Sequence, residues 1–565
     1  MCSIPKTTTD RTWKPISSRV GFLVCVGLIW LLACRDGGRG PTLKAHGHSE
    51  PQHGGILRFS VPTGVATLDP AVGYDEIAFY AIHHVHDTLL GHGTSAAGQG
   101  SQLVPQLAES WSVSPDGTVY SFVLRPGLRY SDGRPCVSGD FKYAWERALT
   151  LPKGPFGQYF RNVVGATDLM AGKASELEGV RVFDDRHFEV RLVEPDSAFP
   201  MILAMMFTTP MSRAHVEEVG SDIRRKPLGT GPFALVRWSE GTELVFARNP
   251  YYWDRPLPYL DGMVMYTSVP RETAFLKFEA GELDTVARLS SADYLWLAER
   301  PDWQPYTEKV LFMNTVGVRM NCQRPPFDDA RVRRAMNYAI NKQHIVKLHN
   351  GRARIASSIL PPLMFGHNSD LLPYPHHPER ARQLLAEAGY PDGFAVEYFI
   401  FQDGPNEQIA QSMQVDLRRV GVDMTIRLVS FPTLITAIGK PDGSRFSFMG
   451  WSSDYPDPTN FIDTNFHSRM IADEHSNNNT FYENPRLDRM IDAAKRERDA
   501  GRRERMYRDI DQLLHHEAPW VWLFHLAMVE VKQPYVANYK PHPIWLRDFR
   551  AAWLDLAPQV LRGQR

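Results

Sequence analysis

Residues 450–461 read GWSSDYPDPTNF. Asp454 lies three residues past Trp451, and Pro456 and Pro458 stiffen the segment just beyond it. Proline fixes φ and removes a backbone donor, so the stretch is neither a helix interior nor a central strand. The run RFSFM before it reads as a strand. A rigid loop at a strand end is therefore expected, where binding residues concentrate. An acid in such a loop either bonds its own turn backbone or meets a ligand, and which ligand depends on the compartment.

Other residues with potential chemistry carry less. His83, His84 and His86 in AIHHVHD invite a metal reading. Adjacent histidines point to different sides of any regular element, however, and no Cys or acid cluster completes a coordination shell. His376–His377 and His515–His516 are weaker still, so no metal is expected. The chain offers no GxSxG elbow, HExxH or SxxK pattern for hydrolysis, and no GxGxxG or Walker loop for a nucleotide. These motifs point to neither an enzyme nor a cofactor.

The compartment is read from the N-terminus. Arg11, Lys14 and Arg19 precede VGFLVCVGLIWLLA, 14 uncharged residues from Val20 to Ala33. That is short for a membrane span, which needs about 20 residues, and suits the apolar core of a signal peptide. The next residue completes LLAC, the pattern of a bacterial lipoprotein signal, with Cys34 as the residue to be lipidated. Residues 34–53 and the two glycines after them are rich in Gly, Pro and polar side chains, as a flexible tether requires. The expected mature chain starts at Cys34, on the outer face of a bacterial membrane and held there by lipid only. Removing residues 1–33 leaves 532 residues and moves the formal net charge from −1 to about −4. Neither value provides a basic face for nucleic acid. At 43% hydrophobic and 22% charged, the chain is ordinary globular material, long enough for two or three domains. Cys136 and Cys322 lack any CxxC or zinc spacing. A bridge between them suits an oxidising compartment, and two isolated thiols are the preferred reading.

The elements that must position Asp454 have a mixed pattern. GILRFSV alternates as a strand does, and VSPDGTVYSFVLRPGLRYSDGRP (113–135) gives strand runs divided by Asp-Gly turns. From Ser138 a helix is predicted with Phe141, Ala144, Trp145 and Ala148 on one face. A second helix is predicted from a cap at Asp328 to a stop at Gly351, with Val332, Ala335, Met336, Ala339 and Ile340 as its apolar stripe. PERARQLLAEAGY is a short helix closing at Gly389. NEQIAQSMQVDLRRVG is another, ending at Gly421 and leading into the alternating strand VDMTIRLV. That helix–Gly–strand junction is an α/β signature. A long helical stretch, about 485–517, precedes the apolar run WVWLFHLAMVEV, which is placed to cross between lobes.

These blocks, in order, resemble the extracytoplasmic solute-binding proteins of ABC importers, in the peptide- and nickel-binding group (bacterial family 5). The matching blocks are LAESWSVSPDGTVYSFVLRPGLRYSDGRPCVSGDFKYAWERAL (107–149), KPLGTGPFALVRW (226–238), RNPYYWDRPLPYLD (248–261) and FEAGELD (278–284). PPFDDARVRRAMNYAINKQHIV, PERARQLLAEAGYPDGF and GWSSDYPDP complete the series. The resemblance implies a type II periplasmic-binding-protein-like α/β fold: two hinged lobes with an additional inserted subdomain. Domain I would comprise 54–85, 215–305 and 526–565, the inserted subdomain 86–214, and domain III (the second lobe) 306–525. It also implies a monomer that hands its solute to a cognate ABC permease with its ATPase.

In peptide-binding relatives, the Asp three residues after this Trp accepts the ligand α-ammonium, while the Gly-Trp-Ser stretch presents backbone to an extended ligand. Carried over by position, Asp454 becomes the amine acceptor, flanked by Gly450, Trp451 and Ser452. Asp457 is assigned to the turn. The chain departs from the family at the ligand's other end. Phe448 stands where relatives carry a basic residue, the loop FQDGPNEQ holds no Arg or Lys, and Lys440 and Arg445 are out of register. The expected cargo is a peptide or another small amine-bearing solute; the alternatives are a nickel chelate, haem or an opine-like solute in the same fold, or a non-transport sensory lipoprotein.

Overall fold

The computed structural model describes residues 45–93, 102–152, 154–403, 405–544, 547–557 and 560. Cys34 and the uncharged run before it lie outside the described residues.

Among the described residues, one twelve-stranded mixed sheet organises the chain, and its spine is the apolar run near the C-terminus. That run forms the strand Trp520–Lys532, buried along almost its whole length. Its first part pairs antiparallel with Asn314–Met320, placing Phe524 against Val316 and Trp520 against Arg319. Its last part pairs with Thr307–Leu311 and Thr285–Ala287. The chain therefore passes between the two halves of the sheet along this strand and again at Phe312–Met313, between Leu311 and Asn314. One half continues through Phe446–Ser452, Phe394–Phe401 and Val422–Val429. The other runs through Ile56–Ser60, Gly262–Tyr266, Glu243–Arg248 and Phe233–Ser239.

A separate antiparallel sheet joins Ala108–Val113, Val119–Leu124, His187–Arg191 and Val180–Val182. The turn between its first two strands is the Ser-Pro-Asp-Gly read from sequence, with Gly117 at φ 76°. The helix Ser138–Thr150 packs Phe141 and Trp145 onto Phe188 of this sheet. Tyr455, from the loop that holds Asp454, enters the same core.

Two predicted helices are each divided. The first is Ala330–Ala339 and then Lys342–Leu348, because Ile340 is extended and Asn341 caps a new start. Its first cap is Asp329 rather than Asp328. The second is Pro485–Arg496 and then Ala500–Glu517, broken where Glu497 is extended and Asp499 recaps. The glycines of GTGP have a steric cause. A Cβ on Gly229 would lie 2.0 Å from the Val85 carbonyl oxygen, and one on Gly231 would lie 2.6 Å from the Val85 carbonyl carbon. The turn is pressed against the end of the helix Glu76–Val85, and Gly231 N–H donates to Val85 O at 2.9 Å.

The histidines of that helix pin down the C-terminal segment. His84 Nε2 accepts from the Phe549 amide at 3.1 Å and its ring stacks on Phe549, while His83 Nε2 lies 3.4 Å from Asp548. Among the described residues no cluster of His, Cys, Asp and Glu could hold a metal ion. Cys136 and Cys322 are both free thiols.

Candidate functional site

The strand Phe446–Ser452 ends at the loop carrying Asp454, and Asp457 then caps the helix Pro458–Phe466. Asn460, in the first turn of that helix, sets the loop. Its Oδ1 accepts from the Asp454 amide at 2.9 Å and from Trp451 Nε1 at 3.2 Å, and its Nδ2 donates to Asp454 Oδ2 at 2.9 Å. Two phenols from distant segments complete the carboxylate's contacts. Tyr74 donates to Oδ1 at 2.8 Å and Tyr159 to Oδ2 at 3.0 Å.

All three donors are neutral. Burial pushes the Asp454 carboxyl above its usual range, and the hydrogen bonds from Asn460, Tyr74 and Tyr159 only partly offset this. Asp457, three residues on, has the opposite surroundings. It is buried, yet Arg503 grips it at 2.7 and 2.8 Å and holds its pKa below the ordinary value despite burial. Asp457 also accepts from the Thr459 amide, so its role is to cap and anchor. Among the described residues, no cation pairs with Asp454.

It opens onto a cavity of about 280 Å³ whose walls include Tyr74, Phe79, Met206 and Ser452. A second cavity, of about 370 Å³, shares Glu76, Phe312 and Ser452 with the first, so the two adjoin. Gly450 lines the second cavity and Ser452 both, whereas Trp451 lines neither. The Trp451 side chain instead packs toward the core that contains Phe461 and Trp522. Its contribution therefore runs through Asn460. Glu76, on the shared wall, pairs with Arg288, and Tyr80 donates to it. Arg288 sits at φ 55°, a left-handed conformation uncommon outside glycine.

Part of the larger cavity's wall is aromatic. Phe448 is part of a cluster with Phe401 at 5.6 Å, and Phe401 meets Phe431 at 5.1 Å. Lys440 pairs with Glu474, and Arg445 donates to the Pro325 carbonyl; neither lines a cavity. Asn460 was within reach of sequence reading, since it stands six residues after Asp454 at a helix start. Tyr74, Tyr159 and Arg288 had no local signal.

The geometry is that of a buried carboxylate at the wall of two adjoining cavities with many apolar lining residues. The profile described as "Bacterial extracellular solute-binding proteins, family 5 Middle" matches residues 102–473, more than half of the chain, and the chain belongs to that family. Di/tripeptide-binding protein 2 of Pseudomonas aeruginosa (strain UCBPP-PA14) is 27% identical, covering 90% of this chain and 96% of its own length. Heme-binding protein A of Haemophilus influenzae is also 27% identical, over 80% of this chain and 85% of its own. Among solved structures, Clavulanic acid biosynthesis oligopeptide binding protein 2 superposes with a TM-score of 0.82 at 27% identity, covering 89% of this chain and 96% of that one. The Helicobacter pylori periplasmic binding protein DppA in complex with peptide STSA has a TM-score of 0.74 at 24% identity, over 89% and 99% of the two chains, and shows the fold alone. The fold is the α/β architecture of periplasmic binding proteins, and members of the family are binding proteins of transporters, not enzymes.

Proposed function

We propose that the chain is the lipid-anchored substrate-binding component of an ABC importer, capturing peptides or peptide-like amine-bearing solutes and delivering them, as a monomer, to a cognate permease with its ATPase. The observation that carries the reading is Asp454: a carboxylate at the wall of a cavity, held by three neutral donors and paired with no cation. A ligand ammonium supplies the missing charge, through a charge-assisted hydrogen bond in a water-poor space. Ser452 and Gly450 carry the solute onward along the strand end, and Trp451 holds Asn460, which aims the acid.

Closure in this proposal is a hinge between the halves of the sheet, with 54–85, 215–305 and 526–565 as one lobe, 306–525 as the other and 86–214 inserted. Its support is that, among the described residues, the chain passes between the halves along Trp520–Lys532 and at Phe312–Met313. A radius of gyration unchanged by saturating ligand would remove the hinge. The anchor rests on LLAC at 31–34, and partition of the full-length protein into the aqueous phase of a detergent extraction would remove it.

The deciding experiment compares free and N-acetylated peptides by calorimetry, on wild type and on Asp454→Asn. Leaving a buried ammonium unpaired costs about 2–5 kcal/mol, on the order of 30- to 4,000-fold in affinity. Acetylation should therefore weaken binding to wild type strongly and to Asp454→Asn hardly at all. Equal binding of free and acetylated peptides by wild type would make Asp454 a turn residue and return the cargo to the other classes, a nickel chelate, haem or an opine-like solute.

A further inference from the structure

Two arginines are among the residues that line the larger cavity, Arg288 and Arg352. Arg288 is neutralised by Glu76. Arg352 is not neutralised: its partners are the Leu289 carbonyl at 2.8 Å, the Ser291 hydroxyl at 2.7 Å and the His349 carbonyl at 3.1 Å, all uncharged. Its guanidinium also lies 5.1 Å from the centre of the Tyr294 ring. Three of the five N–H donors of an arginine are thus engaged and two remain. Among the described residues no carboxylate pairs with it. Burial, aided by repulsion from Arg271 and opposed by Tyr294, draws its pKa down, as befits an uncompensated cation.

The adjoining cavities therefore present one anion and one cation that the protein leaves unpaired, Asp454 in the smaller and Arg352 in the larger. The lining of the larger cavity also holds the neutralised Glu76–Arg288 pair and the side chains of Phe401, Phe431 and Phe448. Each of the three guanidinium nitrogens makes one hydrogen bond, so the group is preorganised, which lowers the ordering cost of binding. Planar, forked donors match a carboxylate.

We propose that Arg352 binds the carboxylate of the solute, and that the solute is a zwitterion whose acid end carries an apolar or aromatic group seated against the three phenylalanines. This rests on the receptor reading above and adds the second anchor that the usual sequence positions, Phe448 and the loop 401–408, do not provide. A purely structural role, tying residues 349–352 to 289–294, would give stability and no preference for free acids.

The test uses full-length protein, calorimetry and four probes: the tripeptide Ala-Ala-Phe, its C-terminal amide, its N-acetyl derivative, and 3-phenylpropanoate. The amide should bind wild type at least about 30-fold more weakly than the acid. Arg352→Gln should bind acid and amide alike, and Arg352→Lys should retain part of the preference. The acid–amide comparison on wild type needs no variant, so a folding defect in Arg352→Gln does not protect the proposal. Equal affinity of acid and amide for wild type, or an unchanged ratio in a folded Arg352→Gln, overturns it. Preference for the free amine without preference for the free acid leaves the receptor reading standing and removes Arg352. Binding of 3-phenylpropanoate alone, lost in Arg352→Gln, keeps the anion site and removes the peptide reading. Failure of all four probes removes both.

Discussion

Asp454 and Asp457 share one loop, and among the described residues only Asp457 is paired with a cation. Arg503 neutralises Asp457 within the protein, whereas Asp454 has only Asn460, Tyr74 and Tyr159. The consequence is a pH dependence with a definite sign. An ammonium is bound by the ionised acid, and burial raises the Asp454 pKa above its ordinary value. Amine affinity should therefore fade on acidification at a pH higher than a free carboxylate would give. Tyr159→Phe removes a donor that stabilises the ionised form, so the acid limb should move to still higher pH, with a stability loss of about 1 kcal/mol. Calorimetric titration across pH checks this, and an unmoved acid limb would show that Tyr159 does not support the charge. The stretch 450–461 contained Asp454, its two prolines and Asn460. It contained no trace of the phenols, which come from positions 74 and 159 and meet the acid only through folding.

At the scale of elements, the helix Pro458–Phe466 fixes the acid loop, and it is fastened to Ala500–Glu517 by the buried Asp457–Arg503 pair. Removing one partner strands the other charge, which typically costs about 3–5 kcal/mol. Arg503→Met should lose stability on that order in denaturant unfolding. The double variant Asp457→Asn, Arg503→Met should recover much of it, since no charge is then left buried. Because Asn460 rides on the same helix, the single variant should also bind amines more weakly. A single variant as stable as wild type would relegate the pair to a surface-like contact. Helix type and faces were legible from apolar spacing, as with Phe141, Ala144, Trp145 and Ala148. The breaks at 340–341 and 497–499 were missed because the apolar stripe runs on across them, although Asn341 and Asp499 are cap residues that mark each restart.

At the scale of the molecule, buried histidines set much of the response to acid. Burial lowers the pKa of His84 and His92 to about 3, and of His86, His349, His525 and His542 to about 4. Unfolded, each would titrate near 6.5. Between those values the unfolded chain binds more protons than the folded one, so stability falls as pH drops below about 6.5 and levels off near the folded values. Buried acids with raised pKa values oppose this, Asp454 among them. Asp87, raised to about 6, and Asp511, raised to about 7, bind protons more readily when folded and favour the fold as pH falls toward their unfolded range. The histidines outnumber them. Melting temperature should decline steadily from pH 6.5 to pH 4, and a flat profile over that interval would contradict the burial of these rings. His83 and His84 illustrate how tertiary structure disposed of the metal candidate, since the helix aims both at residues 548–550, more than 450 positions away in the chain.

The family came from resemblance, and local physics in the sequence was enough to determine the α/β class, the apolar faces and the loop that holds Asp454. Each depends on residues within a few positions of one another: a proline that denies a donor, a glycine before a strand, an apolar period of two or of three to four. Pairing across the fold decided the rest. Whether a carboxylate is neutralised, as Asp457 is, or held by neutral donors, as Asp454 is, depends on which distant side chain arrives beside it. Electrostatic and steric partners act through space, and the sequence order of Tyr74, Tyr159, Arg352 and Arg503 carries no measure of that distance.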